Sequence, residues 1–154
     1  SLSKHEGKLY LKDLKSLKNG ALAGKMASSG HGLELRRLKE LSDAAAEAFS
    51  KYEGELFLGG LALLSDAAAE SLSKHKGELS LSGLTTISDA AVESLSKHKG
   101  DLSLSGLTEL SDAAAESLSK HKGRLNLSLD SLTYAAADSL SKHKGEISWE
   151  DPAC

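Results

Sequence analysis

The leucines that follow Gly100 change their spacing after Leu104, and this change marks the end of the first structural half of the segment Gly100–Lys122. Leu102 and Leu104 alternate with serines, the period-two pattern of a short strand with one buried face. Leu107 and Leu110 follow at intervals of three, which indicates that the strand has ended. The pattern therefore predicts a strand and then a turn that still directs apolar groups inward.

A helix is predicted to follow this turn. Ser111 is a favourable N-cap because its hydroxyl accepts a backbone N–H bond, and Asp112 places negative charge near the helix N-terminus. The three alanines that follow favour helix formation and close packing, and Leu118 supplies the main apolar contact. Gly123 is expected to end the helix as a left-handed residue.

The same strand-and-helix unit recurs along the chain. The residue that opens each strand pattern returns at intervals of 24, 23, 23, 23, 23 and 22, at Leu9, Leu33, Leu56, Leu79, Leu102, Leu125 and Ile147. One unit is too small to bury its apolar face alone, so neighbouring units must stack into a parallel sheet covered by helices. We expect a single domain over residues 1–154, with a partial repeat at 1–7, a degenerate repeat at 8–32, regular repeats at 33–145 and a last strand with a tail at 146–154.

The segment LSLSGLTELSD resembles the signature of leucine-rich-repeat proteins, and is similar to the cysteine-containing subtype with a helical variable part. The resemblance extends from Gly7 to about Trp149 and implies an α/β solenoid of about six repeats. It also implies a horseshoe arc with a parallel sheet on the concave face and helices on the convex face. Leu107 stands where the family usually has asparagine or cysteine, so we expect leucines to fill the column that an asparagine ladder normally occupies.

Composition narrows the class of protein. The chain has 154 residues and 40% hydrophobic content, enough to bury a core without metal or disulfide support. Its one cysteine, Cys154, excludes an intramolecular disulfide and leaves the redox compartment open. No stretch approaches the roughly 18 consecutive apolar residues of a membrane span, so we expect no membrane insertion. The chain opens on SLSKHEG, a near copy of the internal SLSKHKG, so we expect it to be a piece of a longer protein.

Charge and motifs argue against two functional classes. Residues 1–39 carry nine basic and three acidic residues, net +6, whereas residues 40–154 carry ten and nineteen, net −9. An overall charge of −3 and the lack of aromatic stacking platforms argue against nucleic-acid binding. Serine, histidine and aspartate recur because the repeat contains them, and the sequence has no phosphate loop, nucleophile elbow or metalloprotease motif. We therefore predict a protein that is not an enzyme and needs no cofactor.

The motif LSKHKG occurs four times. Its first lysine follows an acidic residue by four positions, the favourable spacing for an ion pair on one helix face. The histidine and the second lysine are expected in the last helical turn, where positive charge complements the helix dipole. The histidines are predicted to form a column of solvated or half-buried helix ends, at His75, His98, His121 and His143. Metal binding by this column is the weaker alternative, because only lysines flank each histidine and a structural site needs about four convergent ligands.

The exposed strand positions define the concave face, which is the favoured binding surface. One predicted column across the strands runs through Tyr10, Glu34, Phe57, Ser80, Ser103, Asn126 and Ser148. The candidate binding residues are Tyr10, Glu34, Arg36, Glu55, Phe57, Glu78, Ser80, Asp101, Ser103, Arg124 and Asn126. Tyr10 and Phe57 are predicted to be exposed aromatic anchors, unless an irregular N-terminal segment covers them. Glu55, Glu78 and Asp101 are predicted to lie in register, where they either attract a basic partner or a cation or remain separately hydrated.

These observations lead to three hypotheses about function. The first is a non-enzymatic module that binds a protein or peptide on the concave sheet surface. The alternative is a structural solenoid that self-associates through its ends or through Cys154. A third and weaker alternative is cation binding by the acidic stripe or by the histidine column.

Overall fold

The computed structural model of the chain describes residues 9–10, 14–28 and 32–149. The strands are β1 Leu9–Tyr10, β2 Ser16–Leu17, β3 Leu33–Glu34, β4 Glu40–Leu41, β5 Leu56–Phe57, β6 Leu79–Ser80, β7 Leu102–Leu104, β8 Leu125–Leu127 and β9 Ile147–Trp149. The helices are α1 Gly20–Ala27, α2 Asp43–Phe49, α3 Asp66–Ser73, α4 Asp89–Leu95, α5 Asp112–Ser119 and α6 Tyr134–Ser141. Strands and helices alternate in repeating units, so the predicted α/β solenoid is confirmed.

Seven of the strands form one parallel sheet in the order β1-β3-β5-β6-β7-β8-β9. The residue that opens each strand pairs with its equivalent in the next repeat, for example Leu79 with Leu102 and Leu102 with Leu125. The 23-residue period is therefore also the register of the sheet. A second, two-stranded parallel sheet joins β2 to β4 in the first two units, and the sequence pattern did not predict it.

The core is a set of straight columns that run from repeat to repeat. A typical repeat contributes leucines from its strand and a leucine from the following turn. Its helix adds one large apolar residue and two small ones, which are an alanine pair in α2, α3 and α5 and Ala91 with Val92 in α4. The turn column consists of Leu38, Leu61, Leu84 and Leu107, each fully buried. Leucines thus fill the position where the resembled family carries an asparagine ladder, as the sequence predicted.

The helix starts are joined by a ladder of hydrogen bonds between repeats. Ser111 caps α5 by accepting the Ala114 N–H at 3.0 Å, and its hydroxyl donates to Asp89 Oδ1 of the preceding helix at 2.5 Å. The same cap-to-acid contact joins Ser65 to Asp43, Ser88 to Asp66 and Thr133 to Asp112. Each first-turn aspartate therefore stabilises its own helix through the dipole and holds the next repeat in place. In α6 the equivalent residue is Tyr134, so this ladder ends there.

Candidate functional site

The helices cover one side of the main sheet, and the other side, which we call the open sheet face, carries the predicted binding residues. Its central column contains Glu34, Phe57, Ser80, Ser103, Asn126 and Ser148, and it begins at Tyr10, which pairs with Glu34. The predicted cross-strand register is therefore confirmed at every strand. The column brings residues that are distant in sequence into one continuous line.

The aromatic anchors of this face differ from the prediction. Phe57 is half-buried and not exposed, and it lies between Glu34 and Ser80, its partners on the two neighbouring strands, which are about 4.8 Å away. The side chain of Tyr10 lies outside the described residues. Arg36 follows β3 in an exposed turn and forms an ion pair with Glu34, with 3.3 Å between Nε and Oε2. The first repeats therefore present a half-buried ring beside an ion pair.

A charged column precedes the strands by one residue. Glu55, Glu78 and Asp101 are exposed and lie in register as predicted, and Arg124 follows them. The Arg124 guanidinium contacts Glu146 through Nε and Nη2, each 3.0 Å from Oε2, and the Arg124 backbone N–H donates to Asp101 Oδ1 at 3.0 Å. Exposed pairs of this kind contribute about 0–1 kcal/mol. A partner can therefore exchange them for its own charges at little cost.

A shallow groove of about 460 Å³ crosses the open sheet face. It is lined by Glu78, Ser80, Ser82, Asp101, Leu102, Ser103, Ser105, Arg124, Asn126 and Ser148. The hydroxyl oxygens of Ser80 and Ser82 are 3.5 Å apart, as are those of Ser103 and Ser105. Since hydroxyl hydrogen bonds are usually about 2.7–2.8 Å long, these contacts are weak and leave the serines able to bond a ligand.

The LSKHKG motif begins inside a helix and ends outside it. Helix α3 ends at Ser73, Lys74 is its C-cap, and His75 lies beyond the cap with its N–H bonded to the Leu72 carbonyl at 3.0 Å. The prediction that the histidine and second lysine lie in the last helical turn was therefore wrong. The predicted ion pairs of the first lysines are confirmed, with N–O distances of 3.8 Å for Lys74–Glu70, 4.0 Å for Lys97–Glu93, 3.4 Å for Lys120–Glu116 and 3.0 Å for Lys142–Asp138.

The histidines of this motif form a ring stack, which we call the histidine column, with Tyr52 at its first position. Consecutive ring centroids from Tyr52 to His143 are 5.5, 5.9, 6.3 and 6.1 Å apart, and the ring planes lie within 10° of each other. His75, His98 and His121 are each 1% exposed, whereas His143 is half-buried. For the first three, the predicted solvated or half-buried helix end was therefore wrong. The first lysine still has helical dihedral angles and the histidine N–H closes a final turn, and the histidine side chain is buried between two exposed lysines.

Backbone carbonyl groups of the preceding repeat face the histidine rings. Nε2 of His98 lies 2.9 Å from the Gly77 oxygen, and Nε2 of His143 lies 3.1 Å from the Gly123 oxygen. A carbonyl only accepts, so the facing nitrogen carries the proton and donates. Each contact joins a side chain of one repeat to the backbone of the repeat before it.

Burial controls the protonation of these rings. Loss of hydration lowers the pKa of His75, His98 and His121, because the charged imidazolium is the form that burial penalises. Backbone carbonyls beside the rings act in the opposite direction and only partly offset this effect. The three buried rings are therefore neutral at pH 7.

The glycine of the motif is required by close packing between repeats. A Cβ atom at Gly100 would lie 2.2 Å from the Gly77 oxygen, and one at Gly123 would lie 2.3 Å from the Gly100 oxygen. The left-handed conformation predicted for Gly123 was wrong, since among the described glycines Gly77 alone has a positive φ, of 157°. These positions exclude a side chain because the backbone of the preceding repeat occupies its place.

The histidine column does not have the geometry of a metal site. Its rings are parallel and about 6 Å apart, whereas ligands of one zinc ion converge with nitrogen atoms about 2.0–2.1 Å from the metal. Over residues 9–10, 14–28 and 32–149, no group of three or more histidine, cysteine, aspartate or glutamate side chains is arranged to hold a metal ion. In the same part of the chain, no helix combines the length and hydropathy needed to cross a bilayer.

The sequence relationships of the chain add no functional assignment. No family model and no curated protein matches it. Its function is therefore inferred from the chemistry of its own surfaces.

Proposed function

We propose that this chain is a leucine-rich-repeat protein and serves as a non-enzymatic module that binds an extended segment of a protein or peptide on its open sheet face. The leucine columns and the helix on one side of each strand support the family assignment. The continuous line of polar side chains across the strands supports the location of the binding surface.

The observation that carries this proposal is a difference between buried and exposed columns. The buried strand and turn columns contain leucine in repeat after repeat, because each must fill the same space. The central column of the open sheet face instead changes from Glu34 to Phe57, to Ser80 and Ser103, and then to Asn126. Stacking does not require this variation, so it supports partner recognition as the role of this column.

The groove chemistry defines the expected ligand. Serine hydroxyls supply donors and acceptors, and the carboxylates of Glu78 and Asp101 outnumber the one guanidinium of Arg124. A segment that presents backbone amide groups and basic side chains complements this surface in both hydrogen bonding and charge. We therefore expect a polar, basic peptide in an extended conformation.

Blocking the groove tests this proposal. A peptide selected from a random library on the immobilised protein is expected to bind the double variant S80R/S103R at least tenfold more weakly, about 1.4 kcal/mol. The two arginines fill the groove and repel basic side chains. Isothermal titration calorimetry measures the change in Kd.

The matched control is A90R/A113R, which adds the same two side chains to exposed helix positions of the same two repeats. Its Kd is expected to stay within about twofold of the wild-type value, since the change lies outside the proposed site. Equal binding by S80R/S103R and the wild type, with both variants folded by circular dichroism, would reject the open sheet face as the site.

A second candidate function, self-association through the C-terminal end, is favoured by two exposed aromatic residues. Tyr134 is 89% exposed in α6, and Trp149 is 51% exposed in the last strand. Trp149 occupies the strand position that is buried as Leu104 and Leu127 in the two preceding repeats, but its own side chain is exposed. Cys154, the other predicted contact, lies outside the described residues.

Light scattering separates this candidate from the first. Self-association predicts an average mass that rises with protein concentration in reductant, and the variant Y134D/W149S is expected to remove the increase. Tyr134→Asp restores the acidic residue that the preceding helices carry at this position, so it suits the fold. A wild-type mass that stays monomeric at all concentrations excludes the second candidate.

A further inference from the structure

The histidine column places three titratable rings where a positive charge has neither water nor a counter-ion. His75, His98 and His121 are each 1% exposed and stack at centroid distances of 5.9 and 6.3 Å. At the motif glycines Gly77, Gly100 and Gly123, the backbones of adjacent repeats lie too close together to admit a side chain. A ring that gains a proton therefore has no room to turn toward solvent while the repeats remain stacked.

The charged groups around the column do not stabilise an imidazolium. Tyr52, which is neutral at pH 7, stacks on His75, and His143 stacks on His121 at the other end. The lysines of the motifs beside the rings are Lys74, Lys76, Lys97, Lys99, Lys120 and Lys122. The carboxylates of helices α3 to α5 and of the segments before strands β5 to β7 belong to Asp66, Glu70, Asp89, Glu93, Asp112, Glu116, Glu53, Glu55, Glu78 and Asp101, and all of them are exposed. The nearest helix carboxylates already pair with the lysines, Glu93 with Lys97 and Glu116 with Lys120. These carboxylates lie in solvent and not in the buried stack, so an imidazolium formed there has no buried carboxylate beside it.

We infer that the histidine column is an acid-sensitive lock, and that proton uptake by His75, His98 and His121 separates the repeats along this edge of the solenoid. Two protonated rings in the stack would lie about 6 Å apart with no screening water between them. Once the repeats part, each ring regains hydration and binds its proton freely. The lock is therefore closed at neutral pH and opens in acid.

The direction of the pH dependence follows from proton counting. In the unfolded chain a histidine titrates near pH 6.5, whereas burial lowers the pKa of the folded rings below that value. The stabilising effect is complete above about pH 6.5 and is lost as the pH falls below that value toward the lowered folded pKa. As the pH falls by one unit, each ring raises the unfolding equilibrium constant by up to about tenfold, so three rings together raise it by up to about a thousandfold.

Urea unfolding of the full chain between pH 8 and pH 5 tests this inference. Below about pH 6.5 we expect a slope that reports protons taken up on unfolding, up to about one per ring and three in all, before carboxylates titrate near pH 4. Tyrosine is the preferred replacement, because Tyr52 occupies the equivalent position of the column in the repeat before that of His75. H98Y is expected to reduce the slope by about one proton, and H75Y/H98Y/H121Y is expected to bring it close to zero.

Two outcomes would overturn the inference. One is a wild-type slope below about one proton over this range, and the other is a slope that the single tyrosine variants leave unchanged. If the triple variant fails to fold, the three single variants decide the question alone. Imidazole proton resonances of the native protein give an independent readout, since titration of all three rings near pH 6.5 in the folded state would exclude a lock.

Discussion

The variant G106A is expected to lose about 3 kcal/mol or more of its free energy of unfolding, a large effect for the addition of one methyl group. A Cβ atom at Gly106 would lie 2.1 Å from the carbonyl oxygen of Ser82 and 2.8 Å from that of Leu84. Both atoms belong to the backbone of the preceding repeat, so no side-chain rotation relieves the contact. The two repeats must move apart, and this loosens the leucine columns on both sides.

Urea unfolding followed by circular dichroism measures this loss. Because each repeat of a solenoid contacts only its neighbours, a weakened interface also divides the cooperative unit, and we expect the urea dependence to become less steep. The matched control is G24A in helix α1, where an added Cβ meets no atom within 4 Å. Alanine favours the helix over glycine, so this control is expected to gain about 0.5–1 kcal/mol. Equal stability of the two variants would show that contact at Gly106 does not limit the repeat spacing.

The variant L84N is expected to lose about 3–5 kcal/mol, which makes it the second large effect. Leu84 is fully buried in the turn column, and its equivalents in the adjacent repeats are Leu61 and Leu107. An asparagine there removes the leucine contacts and buries an amide beside apolar groups that cannot bond it. In the family that the chain resembles, asparagines at this position bond to the turns, but here neighbouring leucines occupy the space.

Thermal and urea unfolding measure this effect, and two controls separate its causes. L84M conserves volume and polarity and is expected to cost less than about 1.5 kcal/mol. T86N adds the same amide at an exposed position of the same turn and is expected to change stability by less than about 0.5 kcal/mol. If L84N is as stable as L84M, the turn accepts asparagine as readily as an apolar residue, and packing does not require leucine in this column.

The parts of the fold that depend on apolar spacing were accessible from the sequence. Leu102 and Leu104 formed the predicted strand, Ser111 capped the predicted helix, and Leu118 entered the core as expected. These predictions hold because a fixed repeat length leaves one way to superpose the apolar faces of successive units. The same superposition determined the cross-strand register of the candidate binding residues.

The histidine column was missed for an identifiable physical reason. The lysines of KHKG indicate a helix end, because positive charge is favourable there, but the helix stops before His75. From Lys74 onward the chain alternates outward and inward, with Lys74 and Lys76 exposed and His75 buried. Tyr52 at the equivalent position was the available signal, because an aromatic ring in the place of a histidine indicates a flat buried slot.

The sequence pattern also does not predict short and irregular features. Strands β2 and β4 have two residues each, which is too few to show a period. The burial of Phe57 depends on how closely neighbouring strands flank its ring, and spacing alone does not contain that information. The binding role of the open sheet face remains a prediction.

We propose that this protein binds its partner on the open sheet face, while its helix side packs adjacent repeats together. Backbone amide chemical shifts of the isotope-labelled protein, recorded with and without a selected peptide, test this claim most directly. On peptide binding, we expect the amide shifts to change at residues 78–82, 101–105, 124–128 and 146–148, and those of helices α3, α4 and α5 to stay the same. Shifts confined to those helices, with the strand amides unaffected, would contradict it.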